Sequence, residues 1–368
     1  MKTRITQYGR SSEASPQKFS GMTLVELMVV VAILGILAVT VIPNISGSLD
    51  RARAKDAVRG FSSFIARAQS RSFGASEPRG FTIQPIVTAS DVAGSMTAMS
   101  LELFLANVPA TYSGDSISSV VSVEKIINPQ TGKIDSLNGT LSFSASGKPD
   151  LSTVARLSNA GFCKAGDSIQ FGGLGPWFKL IPPSTVSMWN EKNQSPYNTV
   201  LPRGQNIPYK IQRQPANATV GTFQFVGNTG IDLGYSMLGS RFFSDFVNFN
   251  YPITILFDAA GRPFEMVHSG GSRDSLSEPL FFLVGLTLLA GNTPAAVGDM
   301  ATSIEPEERT GANWQYSDSV WLMVDHQSGA RHSATSSARE GNAALKAGSS
   351  IQTAVQRSQY NLRILSGI

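Results

Sequence analysis

The sequence predicts an α+β protein. One long N-terminal helix, transmembrane in its first half and amphipathic in its second, packs on an enlarged antiparallel β-rich globular domain. Three observations carry this. Residues 22–42 form an almost unbroken apolar run. Residues 49–68 repeat apolar side chains mostly at three- and four-residue steps. From about residue 80, short alternating segments are separated by turn residues, in a chain holding 34 glycines and 19 prolines. With 42% apolar and 15% charged residues, the chain is too apolar for disorder and too lightly charged for a coiled coil.

Residues 1–21 form a basic leader, in which Lys2, Arg4, Arg10 and Lys18 outweigh Glu13. The whole chain carries +4, so the remainder is nearly neutral, and a general nucleic-acid field is not supported. The lone cysteine, Cys163, excludes an internal disulfide and every Cys-based zinc or iron–sulfur motif; it reads as a small buried side chain.

Residues 22–43 are the hydrophobic segment. A helical run of about 20 apolar residues matches a bilayer's hydrocarbon thickness of roughly 30 Å, and the basic leader places its N-terminus on the cytoplasmic side. A cleaved secretory signal fits poorly, because the apolar stretch is too long and no small-x-small site follows it. A plain anchor explains the hydrophobicity but gains nothing from Glu26, the one charge in residues 22–42. An intramembrane carboxylate is costly and marks a functional position.

Gly21 immediately precedes the run, Glu26 is the fifth residue after it, Gly35 interrupts it and Pro43 closes it. This block, Gly21-Met22-Thr23-Leu24-Val25-Glu26-Leu27 through Pro43, resembles the class III signal of type IV pilins and type II secretion pseudopilins. The resemblance implies cleavage by prepilin peptidase between Gly21 and Met22, and N-methylation of Met22. It also implies assembly with other pilins or pseudopilins through Glu26 and the helix closed by Pro43. In that family the glutamate neutralises a neighbouring subunit's N-terminal ammonium. Paired across subunits, two charges that are costly alone offset each other and fix the axial register. Two features depart from the usual pattern: Met22 stands where the family most often has Phe, and the leader is longer than in short-leader pilins.

Residues 44–74 continue the helix. Asn44 or Ser46 is read as a cap, and Leu49, Ala57, Val58, Phe61, Phe64, Ile65 and Ala68 as the buried stripe. Arg51, Arg53, Lys55, Asp56, Arg59 and Arg67 read as a solvated face, and Gly74 as the stop. With the apolar run this makes one proline-interrupted helix of about 50 residues, roughly 75 Å.

Residues 75–330 read as the β-rich domain. Expected strands are Phe81–Val87, Met96–Leu105, Ile117–Ile127, Thr140–Ser144, Ser168–Phe171, Trp177–Ile181, Tyr209–Arg213, Thr219–Val226, Ile253–Asp258, Pro279–Leu289 and Ser319–Asp325. Asp258–Pro263 reads as a turn, and the run from Pro279 is too short to span a bilayer, so it reads as a buried strand. Ala66-Arg67-Ala68 and Arg71 followed by Gly80–Val87 are similar to the H-type minor pseudopilins. So is the closing order of Ile253–Asp258, turn, Pro279–Val284, then Val320–Asp325 with Ser328-Gly329. Globular parts in that family are smaller, which makes residues from about 105 to 248 an insertion or second sheet.

Other candidate chemistry is thin. Asp325, His326 and His332 lack a third ligand at metal spacing, and His268 is isolated, so no metal or cofactor is expected. Gly114-Asp115-Ser116 and Gly166-Asp167-Ser168 lack a strand–elbow–helix context, and Gly172 to Pro176 lacks phosphate-loop spacing. No catalytic residue is expected. Residues 331–368 form a basic C-terminal tail, read as solvated and partly ordered, with a partner subunit or DNA as its functional alternative. Ala343, Ala344, Ile351, Ala354, Val355, Leu362 and Leu365 are its potential helix face. The function expected is a structural subunit of a short periplasmic secretion filament, inserted in the inner membrane. The alternatives are a minor pilin of a type IV pilus and a non-polymerising, membrane-anchored exported binding protein.

Overall fold

A computed structural model describes residues 23–89, 96–114, 118–127, 134–145, 164, 166–173, 177–181, 187–188, 204–295 and 310–367. The chain divides into two compact units, Met1–Ser46 and Gly47–Ile368.

Helix α1 covers Leu24–Ser72 without a break. Asn44 and Ser46, expected to cap a new segment, lie inside it. A proline removes one N–H from the helical ladder, and the helix continues on both sides of Pro43. Glu26 in the first turn and Arg71 in the last complement the helix dipole. Past Ser46, Ala54, Ala57, Val58, Phe61, Phe64, Ile65 and Ala68 are buried. Leu49, expected in that stripe, is exposed. Gly74 follows the helix with φ +66°, a left-handed position that suits glycine.

The main sheet has eleven antiparallel strands: β1 (Arg79–Ala89), β2 (Met96–Asn107), β10 (Ala216–Gln224), β11 (Thr229–Leu238), β12 (Arg241–Phe242), β13 (Ile253–Phe257), β14 (Pro263–His268), β15 (Ser272–Ser275), β16 (Leu280–Leu286), β17 (Val320–Val324) and β18 (Arg331–Thr335). Their order is β15-β14-β13-β1-β2-β11-β16-β17-β18, with β10 on β2 and β12 on β11.

Both faces of this sheet are covered. Phe81, Ile83, Leu103, Ile255, Phe282 and Leu322 pack with the α1 stripe in one core. Phe281, Leu283, Trp321 and Met323 form a second core with Trp314, Ala354, Val355 and Leu362. Alternate residues of β16 enter opposite cores, which explains why its sequence reads as a continuous apolar run. The second cover comes from the C-terminal segment, which is not a loose tail. It supplies β18 and three short helices, α2 (Ala338–Lys346), α3 (Ile351–Ser358) and α4 (Tyr360–Ser366). Burial of Ala354, Val355 and Leu362 is what holds it.

A second, seven-stranded sheet comprises β3 (Ser119–Ile127), β4 (Ile134–Ala145), β5 (Ser168–Phe171), β6 (Phe178–Ile181), β7 (Ser187–Met188), β8 (Gly204–Ile207) and β9 (Tyr209–Gln212). It has its own small core of Val121, Ile169, Phe171, Leu180, Tyr209 and Ile211. Residues from about 105 to 248, expected to be an insertion or second sheet, divide between the sheets, because β10 to β12 belong to the main one. A polar joint ties the second sheet in: Asp167 accepts from the backbone N–H of Lys164 at 2.6 Å and of Gln214 at 2.8 Å. Burial pushes the Asp167 carboxyl above its ordinary value against those bonds. Arg213 donates to Ala110 O at 2.9 Å and receives Arg273 on its own carbonyl at 3.2 Å.

Candidate processing and assembly site

Thr23 precedes the first helical residue, Leu24, and Glu26 stands three positions on. The Thr23 N–H donates to Glu26 Oε2 at 2.9 Å and the Thr23 hydroxyl to the same oxygen at 3.1 Å. The Glu26 N–H returns a bond to Thr23 Oγ1 at 3.2 Å. This is a reciprocal capping box, satisfying N–H groups that a helix start leaves without intrahelical partners. The Thr-x-x-Glu pattern is visible in the sequence, but reading Glu26 only by its distance from Gly21 passes over it.

Around this cap every described side chain from Thr23 to Ile36 is exposed, including Leu24, Val25, Leu27, Met28, Ile33, Leu34 and Ile36. A helix start apolar all round, with one carboxylate, needs lipid or other helices to cover it. Gly21 and Met22 lie outside the described residues. Pro43 lies within the α1 backbone, and its side chain is also outside the description. Among the described residues no helix is long and apolar enough to cross a membrane; side chains of the apolar run are described only as far as Ile36.

The remaining sequence candidates have structural places. His268 is buried at the end of β14, with Nε2 2.8 Å from Asp274 Oδ2 and Nδ1 2.9 Å from Ser269 Oγ. Asp325 Oδ2 accepts from the Ser328 N–H at 2.9 Å in the β17–β18 turn, and His332 pairs with Met323 across those strands. Among the described residues no group of three His, Cys, Asp or Glu side chains is placed to hold a metal. Gly166-Asp167-Ser168 belongs to the joint and β5, whereas Asp115, Ser116 and Cys163 lie outside the described residues.

Sequence reasoning passed over Asp232, which is fully buried. Its Oδ2 accepts from Asn313 Nδ2 at 3.0 Å, and its carboxylate also receives backbone N–H groups of Gly234, Tyr235 and Gly291. Burial pushes this carboxyl up to about 6, although all four partners pull the other way. It ties a β11 irregularity to the segments after β16 and before β17, a structural task.

Residues 16–42 match the family described as the prokaryotic N-terminal methylation motif, the class III prepilin signal. The match covers the N-terminal signal; that motif indicates a pilin-like protein processed by prepilin peptidase and implies assembly with other pilins. No curated protein and no solved structure matches the chain.

Proposed function

We propose that this protein is a non-catalytic structural subunit of a type II secretion filament, a minor pseudopilin most like the H type. Prepilin peptidase cuts after Gly21, Met22 is methylated, and the helix closed by Pro43 joins a filament through Glu26. Before assembly, the subunit sits in the inner membrane with its β-rich body in the periplasm.

One observation carries the reading: a single carboxylate, five residues after Gly21, stands in the first turn of a helix whose start, through Ile36, carries no other charge and exposes apolar side chains on every side. Such a group requires a cationic partner once the helix is buried among others, and a newly cut N-terminal ammonium supplies one. The H-type assignment is supported by a long helix lying under β1 and by the succession of β13, β16 and β17. The motif equally serves the subunits of a type IV pilus, and that is the second reading.

N-terminal peptide mass analysis tests processing. The expected chain begins at methyl-Met22. A chain retaining residues 1–21 beside an active prepilin peptidase returns the protein to the plain-anchor reading. Deleting the gene then separates the two filaments: the secretion reading expects lost export of a secreted protein with surface pili intact.

A further inference from the structure

We infer that the end of the β-rich body around residues 49–55 of α1 is a membrane seat. Leu49, Val226 and Leu288 sink among phospholipid headgroups, and Arg51, Arg53 and Lys55 meet their phosphates. The inference rests on the membrane placement proposed above and gives the globular body a contact of its own before assembly.

Three segments converge on this stretch of helix. The Arg53 stem lies against Gly227, where an added Cβ would come within 3.1 Å of its Cδ. Two residues earlier, Arg51 meets Ser317 Oγ at 3.2 Å and Asp318 Oδ1 at 3.4 Å. The Thr287 N–H donates to Asn228 O at 2.9 Å, which draws the segment after β16 to the one after β10.

The helix and two of these segments each expose a large apolar side chain. Leu49 is 48% exposed, Val226 74% and Leu288 56%. Scattered singly such residues are ordinary, but these are gathered at one end. Leu49 and Arg53, four residues apart, share one helix face. The segments holding Val226 and Leu288 are uncharged: no charge occurs between Arg213 and Asp232 or between Glu278 and Asp299. The cations come from the helix, where Arg51, Arg53, Lys55 and Arg59 are exposed. They outnumber Asp50, Asp56 and Asp318 by one. Apolar tips beside long basic side chains are the make-up of segments that lie in a membrane interface.

The chain itself brings the bilayer to this end. Leu49 is six residues past Pro43, which closes the apolar run. Six residues are roughly 9 Å of helix, just beyond a headgroup layer about 5–7 Å deep. Helical side chains lean toward the N-terminus, which carries Leu49 and the basic groups back into that layer. The anchor keeps the patch at the surface at high effective concentration, so weak individual contacts suffice. Phe73, just past the far end of α1, is also exposed and provides the comparison point.

The test uses the full-length protein reconstituted in vesicles of phosphatidylglycerol and phosphatidylethanolamine. The lipids are brominated near the top or the middle of the acyl chain. A fluorescent amino acid stands singly at Val226, Leu288, Phe73 or Val31. The expected result is quenching by shallow bromine at Val226 and Leu288 at least twofold stronger than at Phe73. Val226→Asp with Lys55→Glu, both at exposed positions, should abolish the quenching at Leu288 in a body that stays protease-resistant. Quenching at Val226 and Leu288 no stronger than at Phe73, with Val31 quenched by deep bromine, overturns the seat alone. Full quenching at Leu288 in the double variant overturns the assignment to these side chains. An unquenched Val31 overturns the membrane placement itself.

Discussion

Asn313 donates from Nδ2 to Oδ2 of Asp232 at 3.0 Å and to the carbonyl of Leu286 at 3.1 Å, so one amide joins β11, β16 and the 3₁₀ turn before β17. Among the described residues the partners of this carboxylate are N–H donors rather than cations, and burial pushes it up to about 6. An unfolded aspartate titrates near about 3.9, so the folded state holds the proton more tightly. The resulting stability is complete below the unfolded value and is lost as pH rises through about 6. The Asp232→Asn variant lacks this titration. Its stability relative to the natural protein should therefore improve between about pH 4 and pH 6, by on the order of 2–3 kcal/mol, and level off above pH 7. Denaturant titrations at several pH values measure this. A difference independent of pH would mean that Asp232 binds its proton equally in the folded and unfolded states.

Gln69 on α1 reaches two turns at once, donating from Nε2 to the carbonyls of Gly261 at 2.9 Å and Gly329 at 2.8 Å, with Arg331 on its Oε1. Gln69→Ala leaves buried carbonyls without donors and should destabilise the body by about 2–4 kcal/mol. Hydrogen exchange should quicken at both turns together, since one side chain serves both. A loss under about 0.5 kcal/mol would show that water replaces the amide.

Glu26→Leu should leave cleavage after Gly21 intact and abolish incorporation into the filament. Insertion does not need the carboxylate, whereas the neighbouring ammonium would be buried unpaired. Glu26→Asp keeps the charge with a shorter reach and should fall between. Cross-linking to filament partners beside a cleavage assay measures both.

Thr23→Val keeps the shape and the N–H bond to Glu26 but removes the hydroxyl from both sides of the capping box. Thr23→Ser keeps it. The valine variant should incorporate poorly and the serine variant normally, with equal cleavage. Equal incorporation of the two would reduce the Thr23 hydroxyl to a helix-start detail.

The sequence revealed elements where one physical signal dominated. The Phe61, Phe64, Ile65 and Ala68 stripe and the apolar run of β16 lie where their periodicity puts them. β11 was missed, although it is central, because Gly230, Asp232 and Gly234 break its alternation. Those residues serve the Asp232 hydrogen bonds and close packing, which local patterns cannot encode. β14 was absorbed into the turn by Pro263, where Asp258 Oδ1 holds the Ala260 and Arg262 N–H groups at 2.9 and 2.8 Å. The C-terminal helices were too short for their periodicity to stand out, and their order comes from the Trp314 and Trp321 core. Leu49 erred the other way: it fits the helical spacing but is exposed. At the N-terminus the methylation motif was legible because its determinants are contiguous.

The sandwiching of the main sheet also sets a timetable. Thr82 in β1 waits for Thr254 in β13, 172 positions later, before their hydroxyls can meet at 2.9 Å. The face bearing Phe281, Leu283, Trp321 and Met323 stays uncovered until Ala354, Val355 and Leu362 arrive, at the end of the chain. Distant pairings are slow because the entropy of closing a long loop is lost before the strands can stabilise each other. In the proposed topology, folding is thus a post-export event. The tethered chain leaves the translocation channel with its central strands incomplete, and its last turns of helix close the body. Truncation by some fifteen residues would strand a sticky intermediate at the membrane surface, where holding factors and proteases would meet it first.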